Sequence, residues 1–273
     1  IAVLRPETIF AGDLPSDPGR HLPEPDVVVA PTQIALFELP DLGLQRPPVA
    51  MLHLAAVNAS PGWRALPIEV AIGGSISAGQ TARRESVLGV TVDLLGPGQA
   101  FLFDLVNSLT VELVDDDHWL ESRDDEALAD GANLAVLGDE LLQFGTVEPL
   151  GSRRFRLTRL LRGRRGTEWA MAGHAIGEAF ALLDPSSIQA IPLTLAAMDT
   201  SVAVTARGIA DGAGTTASKT VSGAALRPPS PVHLKAVRLI DGTLMISWVR
   251  RSRDGFHWLD GVDVPLGEGV EDY

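Results

Sequence analysis

The chain has 273 residues, 45% of them hydrophobic and 21% charged, which is enough to bury more than one core and too apolar for wholesale disorder. Its net charge of −13 repels phosphates, which disfavours nucleic acid or an anionic membrane as a partner before any contact is made. There is no cysteine, which excludes disulfides, thiolate nucleophiles and Cys-ligated metal sites.

Lys219 and Lys235 are the only lysines, so arginine carries nearly all the positive charge. Every long apolar stretch is broken by Pro, Gly or Asp, and none predicts a membrane anchor. The chain opens at Ile1 and closes at Tyr273 inside a strand-rich segment, which reads as a piece of a longer polypeptide.

Residues 1–25 hold Pro6, Pro15, Pro18, Pro23 and Pro25 with little periodicity, and predict an extended arm or linker. From residue 26 the pattern changes. The runs VVVA, IALFEL, VAMLHLAAV, IEVAIGG, SVLGVTVDLL and FLFDLV are short, rich in Val, Ile and Leu, and bounded by turn formers, so each predicts a strand. The Gly-rich GGSISAGQ and LGPGQAF lie in no βαβ context and predict hairpin turns.

The stretch 108–183 is the most legible. Residues 108–114 alternate as a strand. Ser122, with Asp125 three positions on, predicts the start of a short helix running through Ala129, with Gly131 at its C′ position. Strands follow at 133–137, 140–147 and 154–161, joined by turns at Gly138-Asp139 and at 149–152, which makes a β-meander. Thr167 predicts the cap of a one-turn helix ending at Gly173, and 177–183 is again strand-like. IPLTLAAM and SVAVTARGI add strands, followed by a mobile loop over 211–218. After the proline-marked LRPPSPVHL, the alternation in 232–249, the Asp241-Gly242 turn and an inward-facing Trp248 predict the opening strands of a fibronectin type III-like sandwich.

The predicted fold class is therefore mainly β: β-sandwich and β-meander modules with few short helices, ending in a partial fibronectin type III-like domain. The divisions fall at 1–25 (arm), 26–112 (β-rich domain), 113–190 (β-meander domain), 191–226 (strands returning to the preceding domains) and 227–273 (truncated fibronectin-like domain).

The arginines Arg153, Arg154, Arg156, Arg159, Arg162, Arg164 and Arg165 are the first candidates for chemistry. Strand alternation places Arg154 and Arg156 on one side and Phe155 and Leu157 on the other. The acidic residues at 115–117, 121 and 124–126 suit ion pairing within or between subunits better than DNA contact or an anionic ligand. The acidic run VDDDHWLESRDDE lacks calcium-loop spacing and reads as a solvated loop with a helix N-terminus. His174 has no G-x-S-x-G, H-E-x-x-H or defined carboxylate pair to serve, and reads as a turn or cap residue. The five tryptophans, Trp63, Trp119, Trp169, Trp248 and Trp258, read as core or interface anchors rather than sugar-stacking platforms. No metal or other cofactor is expected.

The run LESRDDEALADGANLAVLGDELLQFGTVEPLGSRRFRLTRLLRGRRGTEWAMAGHAIGEAFALLD resembles the C-terminal part of tail-tip hub proteins of gene transfer agents and siphophage-like elements, the megatron or host-specificity-like tail proteins. The stretches GANLAVLGDELLQF, LLRGRRGTE and H-x-x-G-E-x-F carry the resemblance, which is most specific over residues 113–184. ISWVRRSRDG…WLDGVDVPLGE is similar to the fibronectin-like segment that follows in that family.

The resemblance implies a structural virion protein and not an enzyme. It would be a hub that closes the tail tube, assembles as a homotrimer with other tail-tip or baseplate proteins, and presents modules to the bacterial cell envelope or a surface glycan. DNA would pass its lumen only transiently during ejection. The resemblance also makes Arg153, Arg154, Arg156, Arg159, Arg162, Gly163, Arg164, Arg165, Gly166, Thr167, Glu168 and His174 an interface or structural motif. Gly163 and Gly166 would permit tight turns, and Arg162 and Arg164 would clamp carboxylates or carbonyls. Two other classes compete. A carbohydrate-binding adhesion module would need clustered exposed tryptophans. A cell-wall hydrolase would need a cleft with paired carboxylates, one of them protonated near neutral pH.

Overall fold

A computed structural model describes residues 29–40, 42, 49–59 and 62–252. The predicted arm at 1–25, Trp258 and the fibronectin-like residues after 252 lie outside the described residues. Among those described, the protein is mainly β. Its strands are, in chain order, β1 (Thr32–Phe37), β2 (Met51–Asn58), β3 (Leu66–Ile72), β4 (Ser75–Ala82), β5 (Leu88–Thr91), β6 (Leu109–Leu113), β7 (Leu134–Leu137), β8 (Glu140–Gly151), β9 (Arg154–Leu161), β10 (Ala179–Leu182), β11 (Gln189–Pro192), β12 (Ser201–Ala206), β13 (Thr215–Thr220), β14 (Val232–Arg238) and β15 (Leu244–Val249). One α-helix, α1 (Asp125–Ala129), and four 3₁₀ turns complete the described set.

Two sheets of order β1-β2-β11 and β13-β12-β3-β4 pack face to face as a sandwich. Between β4 and β11 the chain leaves the sandwich, forms a closed six-stranded barrel of order β10-β5-β6-β9-β8-β7, and returns. β5 precedes the division drawn at 112/113 and β6 runs across it, yet both are barrel strands. β10 pairs with both β5 and β7, which closes the ring.

β2 lies between the two units, and its near-continuous apolar sequence reflects burial on both faces. Leu52, Leu54 and Ala56 pack against Ile68, Val70, Val202 and Val204 of the opposite sheet. Ala55 and Val57 join Leu88, Val136, Leu141 and Ala181 of the barrel in a second core. A third core fills the barrel with Leu109, Val111, Leu113, Leu142, Phe144, Phe155, Leu157 and Phe180. Glu38, just after β1, fastens the sandwich. This carboxylate accepts hydrogen bonds from the backbone N–H groups of Ser222 (2.8 Å), Gly223 (2.5 Å) and Ala224 (2.9 Å) and from the Ser222 hydroxyl (2.9 Å).

Several local expectations are corrected. FLFDLV is not a strand but an exposed loop: Asp104 turns inward, while Phe101, Leu102, Leu105 and Val106 face solvent. The cap of α1 is Asp124, whose carboxylate accepts from Ala127 N–H at 2.9 Å, whereas the Ser122 hydroxyl accepts from Val147 N–H. Gly131 does take the left-handed conformation after the helix, with φ +93°.

The turn expected at 149–152 sits at Ser152-Arg153, both with positive φ, because β8 continues through a bulge to Gly151. Thr167 does stand at the N-cap position of a one-turn helix, the 3₁₀ turn Glu168–Ala170, but its side chain makes no cap bond and the turn ends before Gly173. Two 3₁₀ turns, Arg164–Gly166 and Glu168–Ala170, flank it, and its hydroxyl bridges them to β8 by donating to Arg164 C=O and accepting from Leu141 N–H. Residues 195–197 form a 3₁₀ turn rather than a strand, and part of the loop expected at 211–218 is β13, paired residue for residue with β12. Among the described residues the fibronectin-like segment is the hairpin β14–β15, which turns at Asp241-Gly242.

Candidate functional site

The inward face of β9 changes parity partway along. Phe155 and Leu157 point into the barrel, and then Leu160 does. The change falls at Arg159, which adopts φ +57° between the ladder pairs Thr146↔Thr158 and Phe144↔Leu160. Arg162 therefore lands on the inner side, where strict alternation from Arg154 and Arg156 would have put it outside. Among the described residues it is the largest fully buried side chain.

Arg162 meets Glu140, the first residue of β8, which shares the inward parity of Leu142 and Phe144. The contact is bidentate: Nε donates to Oε1 at 2.7 Å and Nη2 to Oε2 at 2.8 Å, with both side chains wholly buried. Arg162 also donates to Gly96 C=O (3.0 Å), to Met171 C=O (3.3 Å) and to Asp104 Oδ2 (3.4 Å). Gly163 N–H adds a bond to Glu140 Oε1 at 2.8 Å, made possible by a left-handed φ of +59°.

His174 completes the cluster. Its Nε2 bonds Glu140 Oε2 and its Nδ1 bonds Glu178 Oε2, each at 2.7 Å. An imidazole held between two carboxylates is most stable with both nitrogens protonated. Burial alone would lower the His174 pKa. The hydrogen bonds to Glu140 and Glu178, together with their charges, outweigh it and raise the pKa above the usual histidine value. Burial likewise pushes Glu140 up, but the bonds from His174, Arg162 and Gly163 and the Arg162 charge hold it below the usual carboxylate range. Asp104 follows the same logic: burial opposes ionisation, and bonds from Asn107 and Val106 and the Arg162 charge prevail.

This cluster ties five pieces of chain together at one end of the barrel: the loop between β5 and β6, the start of β8, the end of β9, the segment around Met171 and the entry to β10. Glu140 accepts four donors, which fills its lone-pair sites and leaves none for a metal or a substrate proton. Among the described residues no group of three His, Cys, Asp or Glu side chains is arranged to hold a metal ion. The cluster's chemistry is that of a rivet: buried, charged and saturated.

The other arginines of the motif sit on the barrel's outer surface. Arg153 reaches Glu112 (3.3 Å) and Asp116 (3.2 Å), Arg154 reaches Glu112 (2.7 Å), and Arg156 reaches Glu148 (2.9 Å). Arg159 pairs with Asp125 and lies over the Phe103 ring, 4.4 Å from its centroid. Arg164 donates to Gln143 Oε1 at 2.8 Å. Arg165, at φ +54°, and Gly166, at φ +90°, form the 3₁₀ turn that follows. Glu168 pairs with Arg251, linking the barrel to the residues just after β15. These partners all belong to the same chain. The structure thus brings Arg162, Gly163 and His174 together with Glu140, places Arg164 and Thr167 beside them on β8, and leaves Arg153, Arg154, Arg156 and Arg159 outside.

Sequence reasoning passed over Glu140, Asp104 and Glu178. The signal for Glu140 was its position as the lone charge opening a strand whose alternate residues, Leu142 and Phe144, are core. Of the tryptophans, Trp63 is partly buried, Trp119 packs edge-on against Phe155 while remaining exposed, and Trp169 is exposed. No helix among the described residues is long and apolar enough to cross a membrane.

The architecture defined by these elements is a β-sandwich carrying an inserted six-stranded barrel with a buried ionic cluster at one end. Residues 86–181 match the family described as Rcc01698-like, C-terminal, a span that coincides with the barrel. No curated protein is a match to the chain.

Proposed function

We propose that this chain is a structural part of a tail-tip hub in a phage-like particle of the gene transfer agent or siphophage kind. In this reading it helps to close the tail tube and holds modules towards the cell envelope during DNA delivery, without being an enzyme. The observation that carries the reading is that the motif-bearing segment, residues 86–181, matches the Rcc01698-like C-terminal family. Two structural features support it. The conspicuous titratable groups of the motif are consumed in a saturated internal cluster, which suits a scaffold under mechanical load. The loop at 101–106 displays Phe101, Leu102, Leu105 and Val106 to solvent from a firmly anchored base, which suits assembly with a neighbour.

Because Arg153, Arg154, Arg156, Arg159 and Arg162 already hold carboxylates of their own chain, contacts to a second copy or another baseplate protein would form elsewhere, through the apolar loop. A homotrimer is the proposed state. The test is to purify tailed particles from the source bacterium, detect the chain by mass spectrometry and locate it by cryo-EM. Density for the barrel at the tail tip, repeated about the symmetry axis, is expected. Absence of the chain from the particles would overturn the proposal, as would peptidoglycan cleavage by the purified chain that a carboxylate substitution abolishes.

A further inference from the structure

His53 lies on β2, 3% exposed, with neither ring nitrogen hydrogen-bonded. A buried polar group without a partner costs stability, and folded proteins hold few of them. β2 runs in unbroken register with β1 and β11, which sets Phe37 and Ala190 beside His53. Strand alternation gives His53 the face of Ala55 and Val57. Those two, with Phe37, join Leu88, Val136, Leu141 and Ala181 of the barrel in one apolar core. The imidazole therefore stands in the contact between sandwich and barrel, outside the core that each unit keeps for itself.

No charge is placed there to receive a protonated ring. β1, β2, β5, β7, β10 and β11 carry no acidic or basic residue besides His53. On β8, Glu140 is consumed inside the barrel and Glu148 pairs with Arg156 on its outside. Glu38 follows β1, but its oxygens are taken by residues 222–224. Asp115, next to Val114, accepts from Asp117 N–H. On the chain crossings Arg84 reaches Ser186, Glu85 faces His118 and Asp184 accepts from Ser186 N–H. Lys219 and Asp139 pair across the two units at 2.7 Å, both partly exposed. Such a pair contributes little to docking.

The crossings can open without unravelling either unit. On the way out Ser86 is held to the sandwich: its N–H donates to Ala56 C=O at 2.8 Å and its hydroxyl accepts from Ala56 N–H at 3.2 Å. The next residue belongs to the barrel, where Val87 C=O accepts from Leu182 N–H at 3.0 Å. On the way back Leu183 N–H donates to Leu134 C=O of the barrel, and Ser187 C=O accepts from the Ser86 hydroxyl. The barrel's own buried charges tolerate acid. Glu140 and Asp104 are held below the usual carboxylate range, and His174 is already favoured in its protonated form. Acid thus acts on the joint before it acts on the ring.

We propose that His53 is an acid-sensitive latch between the two units: on taking up a proton it releases the barrel from the sandwich, while the barrel itself stays closed. The inference is independent of the tail-tip reading and stands or falls without it.

The chain has no cysteine, so a single introduced thiol reports only its own site. Val57→Cys puts one in the joint and Val111→Cys puts one inside the barrel, both at fully buried positions. Labelling of the full chain by a dithiodipyridine is followed from about pH 7.5 to about 4.5, across the ordinary histidine range. Each rate is divided by that of the urea-unfolded chain at the same pH. Protection at Val57→Cys should fall about tenfold per pH unit below about 6.5, because opening takes up one proton. Val111→Cys should stay protected throughout. In a His53→Leu background the fall should vanish, and His53→Phe serves as a second background. Near-UV circular dichroism at neutral pH shows which of them folds, and Ala55→Cys replaces Val57→Cys if that thiol is unprotected at neutral pH. Protection lost at both thiols together would mean unfolding of the whole chain and would overturn the proposal. So would a joint that stays protected in acid, or a fall that persists without the histidine.

Discussion

Arg162 and Glu140 meet through two parallel hydrogen bonds inside the end of the barrel, with neither side chain touching water. Removing one partner of such a pair leaves an uncompensated buried charge, which costs about 3–5 kcal/mol. Glu140→Leu and Arg162→Met should each lower stability by that order in urea unfolding. The double variant should lose clearly less than the sum, because neither member of the pair is left facing a missing partner, although His174 and Asp104 each lose one contact. Additive losses would show that the two residues do not act as a pair.

The two buried histidines should give stability opposite dependences on pH. His174 has a folded pKa raised by its two carboxylate partners. The folded state therefore binds the proton more tightly than the unfolded chain. Its contribution is fully present below the unfolded value of about 6.5 and is lost as pH climbs through the raised folded value. His53 lies on β2 with no hydrogen-bond partner for either ring nitrogen, and burial pushes its pKa down to about 4. There the unfolded chain binds the proton first. Stability falls as pH drops below about 6.5 and has lost about 3 kcal/mol from this group once pH is below its folded value. Unfolding free energy measured from pH 4 to 9 should thus show two flanks. His174→Gln should flatten the alkaline one and His53→Phe the acidic one. A flank that survives its own substitution would assign it to another group.

Gly163 and Gly131 both have positive φ, but a side chain would meet different surroundings at each. At Gly163 a Cβ would come within 3.0 Å of Glu168 Cα and Met171 Sδ, and the N–H beneath it serves Glu140. At Gly131 nothing lies within 4 Å. Gly131→Ala should cost about 1 kcal/mol, from backbone strain alone. Gly163→Ala should cost distinctly more and should also shift the His174 titration seen by NMR, since it disturbs their shared carboxylate. Equal costs at the two sites would refute the packing argument.

The legible parts of the sequence were those where one local rule operates. The alternation of Arg154, Phe155, Arg156 and Leu157 matches the observed exposed and buried faces, and the Asp241-Gly242 turn is in place. The rule fails at Arg159, whose positive φ no residue preference announces. That one dihedral is why Arg162 and its cluster were not assigned to the barrel interior. His174 was read as a turn residue because its partner Glu140 is 34 positions away in sequence, and only closure of the barrel brings them together. FLFDLV looked like a strand because its apolar residues imply burial. They are exposed because Asp104 is the residue drawn inward, by Arg162 and by mutual backbone bonds with Leu160.

That loop supplies a further prediction. Leu105 and Val106 are 73% and 94% exposed, so Leu105→Ser and Val106→Ser should change stability by no more than about 0.5 kcal/mol. If the loop is the assembly contact of a tail tip, the same substitutions should reduce incorporation of the chain into particles. Asp104→Ala should do the converse in the isolated chain: hydrogen exchange of residues 96–107 should rise while the exposed surface chemistry stays the same. Unchanged exchange would show that the loop does not depend on its anchor.

The insertion of the barrel between β4 and β11 also dictates an order of events at the ribosome. β2 finds its second neighbour only when Gln189 has been made, because Leu54 pairs with Gln189. At ordinary ribosomal speeds that interval is on the order of ten seconds. During it the newborn half-sandwich holds a strand destined for burial on both faces, and the barrel cannot close far ahead of it, because the ring closes only through β10, which ends at Leu182, just before Gln189. A barrel that closes promptly offers Leu88, Val136 and Ala181 as a first cover for that strand, whereas a barrel slowed by a broken Arg162–Glu140 pair leaves it bare. Variants in the barrel should therefore show their defect first as nascent-chain aggregation and chaperone demand, before any loss appears in the finished protein.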